Sequence, residues 1–236
     1  ASWTFRKAPK FFDVVTWTGD GTTDFSKKIS HSIGARPGLV IAKNRSRSSN
    51  WMVWYPLMDN ADYNLHLNND NQTQSSNETN GRVYVEQTGD YRIQVKSQGT
   101  GDDANRSGDN YVAYVFANND GDGEFGPTGD QDIIKCGSYT AASNGVEINL
   151  GFEPQWVMFK RSDNTGAWKI IDTMRGFNVS DNPASLEPNT SDAEGGVAKY
   201  RITNTGFRWN SDQYDTGDYI YIAIRRGPMA VPTDAT

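Results

Sequence analysis

A block that occurs twice constrains this chain more than any other feature. Gly34-Ala-Arg-Pro-Gly-Leu-Val-Ile-Ala-Lys43, a polar loop over 44–50 and Trp51-Met-Val-Trp-Tyr55 form the first copy. Gly151-Phe-Glu-Pro-Gln-Trp-Val-Met-Phe-Lys160, a loop over 161–167 and Trp168-Lys-Ile-Ile-Asp172 form the second. Gly34, Pro37, Lys43 and Trp51 each meet an identical residue 117 positions later, with no gap across the block. Any fold for the chain has to build this element twice.

Physically the block reads as a β-hairpin. A Gly-x-x-Pro turn breaks the chain, an apolar run enters a sheet, a loop of Ser, Asn, Arg and Gly turns it back, and a second apolar run returns. Trp51, Val53 and Tyr55 fall on one strand face and Met52 and Trp54 on the other, so the strand is expected to be covered on both sides. Runs of about five residues rich in β-branched and aromatic side chains argue against a helix.

The match extends both ways. Phe12-Asp-Val-Val-Thr-Trp-Thr18 pairs with Ile134-Lys-Cys-Gly-Ser-Tyr-Thr140 at an offset of 122, and Leu65-His-Leu-Asn68 with Leu186-Glu-Pro-Asn189 at 121. Tyr91-Arg-Ile93 pairs with Tyr200-Arg-Ile202 at 109, which places a twelve-residue insertion, Asn69 to Asn80, in the first copy. Each copy closes on a small-Gly-Asp turn and an apolar strand, Ser107 to Ala117 and Thr216 to Ile224.

With roughly seven or eight strand signals per copy and no amphipathic helical pattern, the expected class is all-β, as two tandem jelly-roll-like β-sandwich repeats. Residues 10–117 are expected to form the first and 133–236 the second, joined by an Asp/Gly-rich linker, 118–132. Residues 1–9 end in Phe5-Arg-Lys-Ala-Pro9, the pattern of Ile224-Arg-Arg-Gly-Pro228, and are expected to be the closing strand of an upstream repeat.

Composition narrows the function classes. Apolar residues make up 36% and aromatics 12%, with 23 glycines, which suits a thin aromatic core between many polar turns. A net charge of −6 argues against nucleic-acid binding, which needs a basic face. The single cysteine, Cys136, excludes an intrachain disulfide and sits in a strand-like run, as expected of a small buried residue. The longest apolar run, Tyr111 to Ala117, is too short to cross a bilayer as a helix.

The sharpest candidate for chemistry is the linker. Asn118, Asp120 and Asp122 with Gly123 at position six follow the start of an EF-hand calcium loop, where alternate oxygens converge on one hard cation, and Glu124 and Asp130 could add ligands. Position twelve is Gly129 rather than Glu, and no helices flank the loop, so the competing reading is a plain Asp/Gly linker.

Catalytic signals are weak. His31 falls in a turn and His66 reads as a strand surface residue, neither in metal-ligand spacing, and no nucleophile elbow, phosphate loop or dinucleotide fingerprint occurs. Loop carboxylates leave glycoside hydrolysis open, because their separation is a tertiary fact. Trp51, Trp54, Tyr55, Trp156, Trp168 and Trp209 could stack on sugars or fill a thin core.

Phe5-Arg-Lys-Ala-Pro-Lys-Phe-Phe-Asp-Val-Val-Thr-Trp-Thr-Gly19, the twin Gly-x-x-Pro blocks, Ser107-Gly-Asp-Asn-Tyr-Val-Ala-Tyr114 and Asp130-Gln-Asp-Ile-Ile-Lys-Cys-Gly-Ser-Tyr139 together resemble a repeat of tailed-bacteriophage virion proteins, notably tail-fibre-like proteins of marine phages. The resemblance spans essentially the whole chain and implies a non-enzymatic structural or adhesive module of the virion, an extracellular particle. It implies no particular receptor; the partners expected are other virion proteins and a host-surface glycan, in a homo-oligomer taken as a trimer, with neither nucleic acid nor membrane. The alternative is a secreted carbohydrate-binding or carbohydrate-cleaving β-sandwich.

Overall fold

Alternation and β-branching dictate strands from the first ordered run. The computed structural model describes residues 3–56, 65–72, 81–98, 104–179, 183–196, 199–210 and 216–227. They are all-β, with antiparallel pairing throughout the named strands and a single 3-10 turn, Thr173–Arg175, in place of any α-helix among them. The chain divides into two units between Asn118 and Asn119, so the Asp/Gly-rich segment belongs to the second.

The first unit contains β1 (Phe12–Thr18), β2 (Lys27–Ile29), β3 (Pro37–Asn44), β4 (Trp51–Trp54), β5 (Leu65–His66), β6 (Arg82–Val85), β7 (Ile93–Lys96) and β8 (Asn110–Ala117). One sheet runs β1-β8-β3-β4-β5 and the other β2-β7-β6. The alternating Val83, Val85, Ile93 and Val95 are buried, and Tyr84 meets Trp54 edge-on at 6.2 Å. Both faces of β4 are covered, as its sequence requires: Met52, Val53 and Trp54 are all buried.

The second unit contains β9 (Ile134–Ala141), β10 (Val146–Asn149), β11 (Pro154–Arg161), β12 (Lys169–Asp172), β13 (Ala184–Ser185), β14 (Gly195–Gly196), β15 (Tyr200–Thr203), β16 (Gly206–Trp209) and β17 (Gly217–Arg225). Its sheets run β12-β11-β17-β9 and β10-β16-β15, with β13-β14 as a small third. The core draws Tyr139, Phe159 and Tyr221 from the first sheet and Ile148, Phe207 and Trp209 from the second. Each such side chain withdrawn from water contributes ~1.5–3 kcal/mol, which holds the layers face to face. Within the β10-β16-β15 sheet the paired strands β10 and β16 run so close at Gly206 that a Cβ would lie 1.9 Å from the Ile148 carbonyl oxygen, so only glycine fits there.

The strand orders of the two units correspond, and so do fine details. β3 and β11 each carry an extra residue just after their proline, between Pro37 and Leu39 and between Pro154 and Trp156. The Trp51 amide donates to the Asn68 side chain at 2.8 Å, and the Trp168 amide to that of Asn189 at 2.9 Å.

One expected equivalence is corrected. Sheet order sets β15, which begins at Tyr200, against β6, whereas Tyr91 lies in the turn before β7 with a left-handed φ of 52°. The length difference is therefore not one insertion over Asn69–Asn80, and positions 73–80 lie outside the described residues. Part of it falls in the β6–β7 connection, 86–92, against 204–205 in the second unit. Trp3 to Lys7 carry no strand, and Phe5 packs edge-on against Phe116 at 5.7 Å.

Candidate functional site

Of the sequence's candidate sites, the Asp/Gly loop is organised by a residue outside the proposed ligand set. Asp132 accepts the Gly121 amide through one carboxylate oxygen and the Gly123 amide through the other, both at 2.9 Å. Asn119 receives the Ile133 and Ile134 amides at 3.3 Å each, and Phe125 bridges Gln131. Gly123 is required by contact, since a Cβ would lie 2.3 Å from the Gln131 carbonyl oxygen.

The five expected ligands are distributed along this loop. Asp120 pairs with Lys135 at 2.9 Å, the Asp120 amide reaches the Asp122 carboxylate at 3.4 Å, and Asp130 accepts the Thr128 hydroxyl. The Asn118 amide donates to the Arg36 carbonyl, and Glu124 is exposed. Among the described residues no group of three or more His, Cys, Asp and Glu side chains is placed to hold a metal ion. As arranged, the set does not fit a calcium cage, because Asp120, Asp122 and Asp130 serve a lysine, a single backbone amide and a hydroxyl.

His66 is a correction to its expected surface position: it is 4% exposed. β5 pairs with β4 beside Met52, and the Asn69 side-chain amide donates to Nδ1 at 3.1 Å. Burial, reinforced by the Arg82 charge, pushes the imidazole down to about 4. Cys136 is buried, and desolvation pushes its thiol far above the range of a nucleophile. The candidate stacking aromatics Trp54, Tyr55, Trp156, Trp168 and Trp209 are all buried as core, and Trp51 is half-buried.

Two clefts remain. In the second unit a space of about 160 Å³ lies among Arg161, Lys169 and Lys199 over Phe159, Tyr200 and Trp209. Arg161 is held by Asp163 at 2.8 Å and Lys169 by Glu187, so much of its charge is answered internally.

The first unit has the larger cleft, about 430 Å³, between the β2–β3 connection and the β6–β7 turn. Ser30, His31, Asp90, Tyr91 and Arg92 line it. Its walls are braced from both sides. Arg36 donates to the Gln87 side chain at 2.5 Å, His31 Nε2 donates to the Tyr91 carbonyl at 2.9 Å, and Arg92 grips Glu86 at 3.0 and 3.2 Å. The Arg92 and Lys28 bonds hold the Glu86 carboxyl at about 2. Tyr91 is forced into the left-handed region, at a cost of ~1–2 kcal/mol. His31 Nδ1 is buried there without a hydrogen-bond partner.

The family model of a domain of unknown function, DUF7483, matches residues 7–228. The chain belongs to the DUF7483 family. No curated protein and no solved structure matches it. The DUF7483 match therefore runs through both units and both clefts without assigning a role to either.

Sequence reasoning missed Asp132 as the loop clamp and the His31–Tyr91 cleft of this DUF7483 chain. A carboxylate that binds backbone amides leaves no side-chain partner to read. The cleft joins segments some sixty positions apart, and its only local sign is the turn Thr88-Gly-Asp90.

Proposed function

We propose that this DUF7483 chain is a non-catalytic module of a tailed-phage virion, part of a tail fibre or similar appendage, built by duplication of one layered β unit. One observation carries the reading. The two units share strand order, the kink after Pro37 and Pro154, and the Trp51–Asn68 and Trp168–Asn189 bonds, while the connections 30–36 and 86–92 are longer than 150–153 and 204–205. Constant layers with divergent connections suit a scaffold that varies its contacts without disturbing its core. In this reading the module meets other virion proteins or a host surface through those connections.

Mass spectrometry of density-purified particles from the source of this sequence tests the reading. Peptides of the chain are expected at the stoichiometry of a structural protein. Peptides confined to the particle-free fraction would overturn it.

A further inference from the structure

We propose that the first unit self-associates through β1, the outermost strand of its five-stranded sheet, which pairs antiparallel with β1 of a second copy about a two-fold axis at Thr16. The inference goes beyond the virion reading and does not depend on it.

The hydrogen bonds around β1 show which of its backbone groups are open. The Ala117 amide donates to the Phe11 carbonyl and the Gly19 amide to that of Asp109, so the odd-numbered residues of β1 bond inward to β8. Phe12 exchanges both of its backbone bonds with Ala8 on the opposite side, so the even-numbered residues point outward. β1 ends its sheet, and among the described residues no strand pairs with it beyond Val14, Thr16 and Thr18. The Val14 amide is taken by the Asp13 carboxylate at 2.7 Å. That leaves the Val14 carbonyl, the Thr16 amide and carbonyl and the Thr18 amide along the open edge.

The side chains beside these groups are of the kind that pair. Val14, Thr16 and Thr18 are all exposed, uncharged and β-branched. The corresponding edge strand of the second unit, β9, is blunted. Asn119 takes both the amide and the carbonyl of Ile134, Lys135 stands next, and Gly137 interrupts the run. An edge without such devices is a surface on which a strand adds.

Charge points to a second copy and sets its direction. Arg6 and Lys7 are exposed at the Phe12 end of β1, with Asp13 answering one of them. Asp20 and Asp24 are exposed past the Thr18 end, with Lys27 answering one of those. Antiparallel pairing centred on Thr16 sets Thr18 against Val14 of the other copy and brings each acidic end to a basic one, twice by symmetry. Parallel pairing would set like charge against like. The register gives two bonds between the Thr16 residues and one from each Thr18 amide to the other copy's Val14 carbonyl, with a Thr–Thr pair on the axis.

Sedimentation equilibrium of the full chain tests the pairing. A monomer–dimer equilibrium in the micromolar range is expected, as suits an interface built on one short strand pair. Thr16→Pro removes an amide that no neighbouring strand uses, and Val14→Lys places a charge on the edge. Each is expected to weaken association by about tenfold or more with the melting temperature little changed. Should Thr16→Pro fail to fold, Val14→Lys and a cross-link decide. Thr16→Cys lies on the axis, where hydrogen-bonded pairs hold their Cα atoms about 5.5 Å apart, within disulfide reach, and is expected to give a covalent dimer with glutathione disulfide as oxidant. Thr18→Cys faces Val14 of the other copy and is expected to give none, and the native Cys136 is buried. The proposal is overturned if the native chain stays monomeric up to about 1 mM, which leaves the edge to a strand of another protein. It is overturned equally by a trimer, by Val14→Lys and Thr16→Pro associating as the native chain does, or by Thr18→Cys cross-linking as readily as Thr16→Cys.

Discussion

Trp17 lies flat on Tyr111 across the β1–β8 pair, ring centroids 5.1 Å apart and 8° from parallel. Tyr139 lies in the same way on Tyr219 across β9–β17, at 5.2 Å and 10°. One residue further along, Thr18 reaches Asn110 at 3.1 Å, and Thr140 reaches Asp218 at 2.7 Å. Directly opposed rings on adjacent strands fix register as well as burying area, so the same pair sets strand placement in each unit.

Removing one ring therefore has a predictable cost. Trp17→Ala is expected to destabilise the protein by about 3–5 kcal/mol, as large-to-small aromatic changes in cores do. Trp17→Tyr, which copies the pair of the second unit, is expected to cost much less. Urea unfolding of both variants checks this, and equal losses would show that the stacked geometry contributes nothing beyond volume.

His66 makes stability depend on pH in a stated direction. Its folded pKa, about 4, lies below the ordinary 6.5, so between these values the unfolded chain binds more protons and stability falls as pH falls. The loss starts below pH 6.5, is complete below about 4, and amounts to roughly 3 kcal/mol at 1.36 kcal/mol per pH unit. His66→Gln removes the titrating group, and the difference between its melting temperature and that of the native chain should change with pH across this window. A pH-independent difference would contradict the buried neutral imidazole.

Asp132 rather than a cation is expected to hold the 118–132 loop. Asp132→Ala leaves the Gly121 and Gly123 amides without their acceptor and should cost on the order of 1–3 kcal/mol. Calcium or a chelator should leave the melting temperature of the native protein where it is. A calcium-dependent rise of several degrees would show that Asp120 and Asp122 exchange Lys135 and the backbone for a metal.

Much of this architecture was legible because it rests on local chemistry. The Gly-x-x-Pro turns and the five-residue apolar runs are written as adjacent letters, and the strands of the twin block fall where those letters set them. Identical letters misled at Tyr91-Arg-Ile93, because the match to Tyr200-Arg-Ile202 carries no record of φ: Tyr200 starts a strand and Tyr91 ends a turn. Leu65-His-Leu67 alternates like a surface strand, yet β5 is two residues long and His66 is covered, which is a tertiary fact. The His31–Tyr91 cleft was invisible for the same reason.

The proposed role, a contact module on a virion, places the chain at the particle surface. Immunogold electron microscopy of intact particles, with an antibody raised against this chain, tests this role. Gold is expected on a projecting appendage of the particle. Particles that stay unlabelled, while free protein in the same lysate binds the antibody, would contradict it.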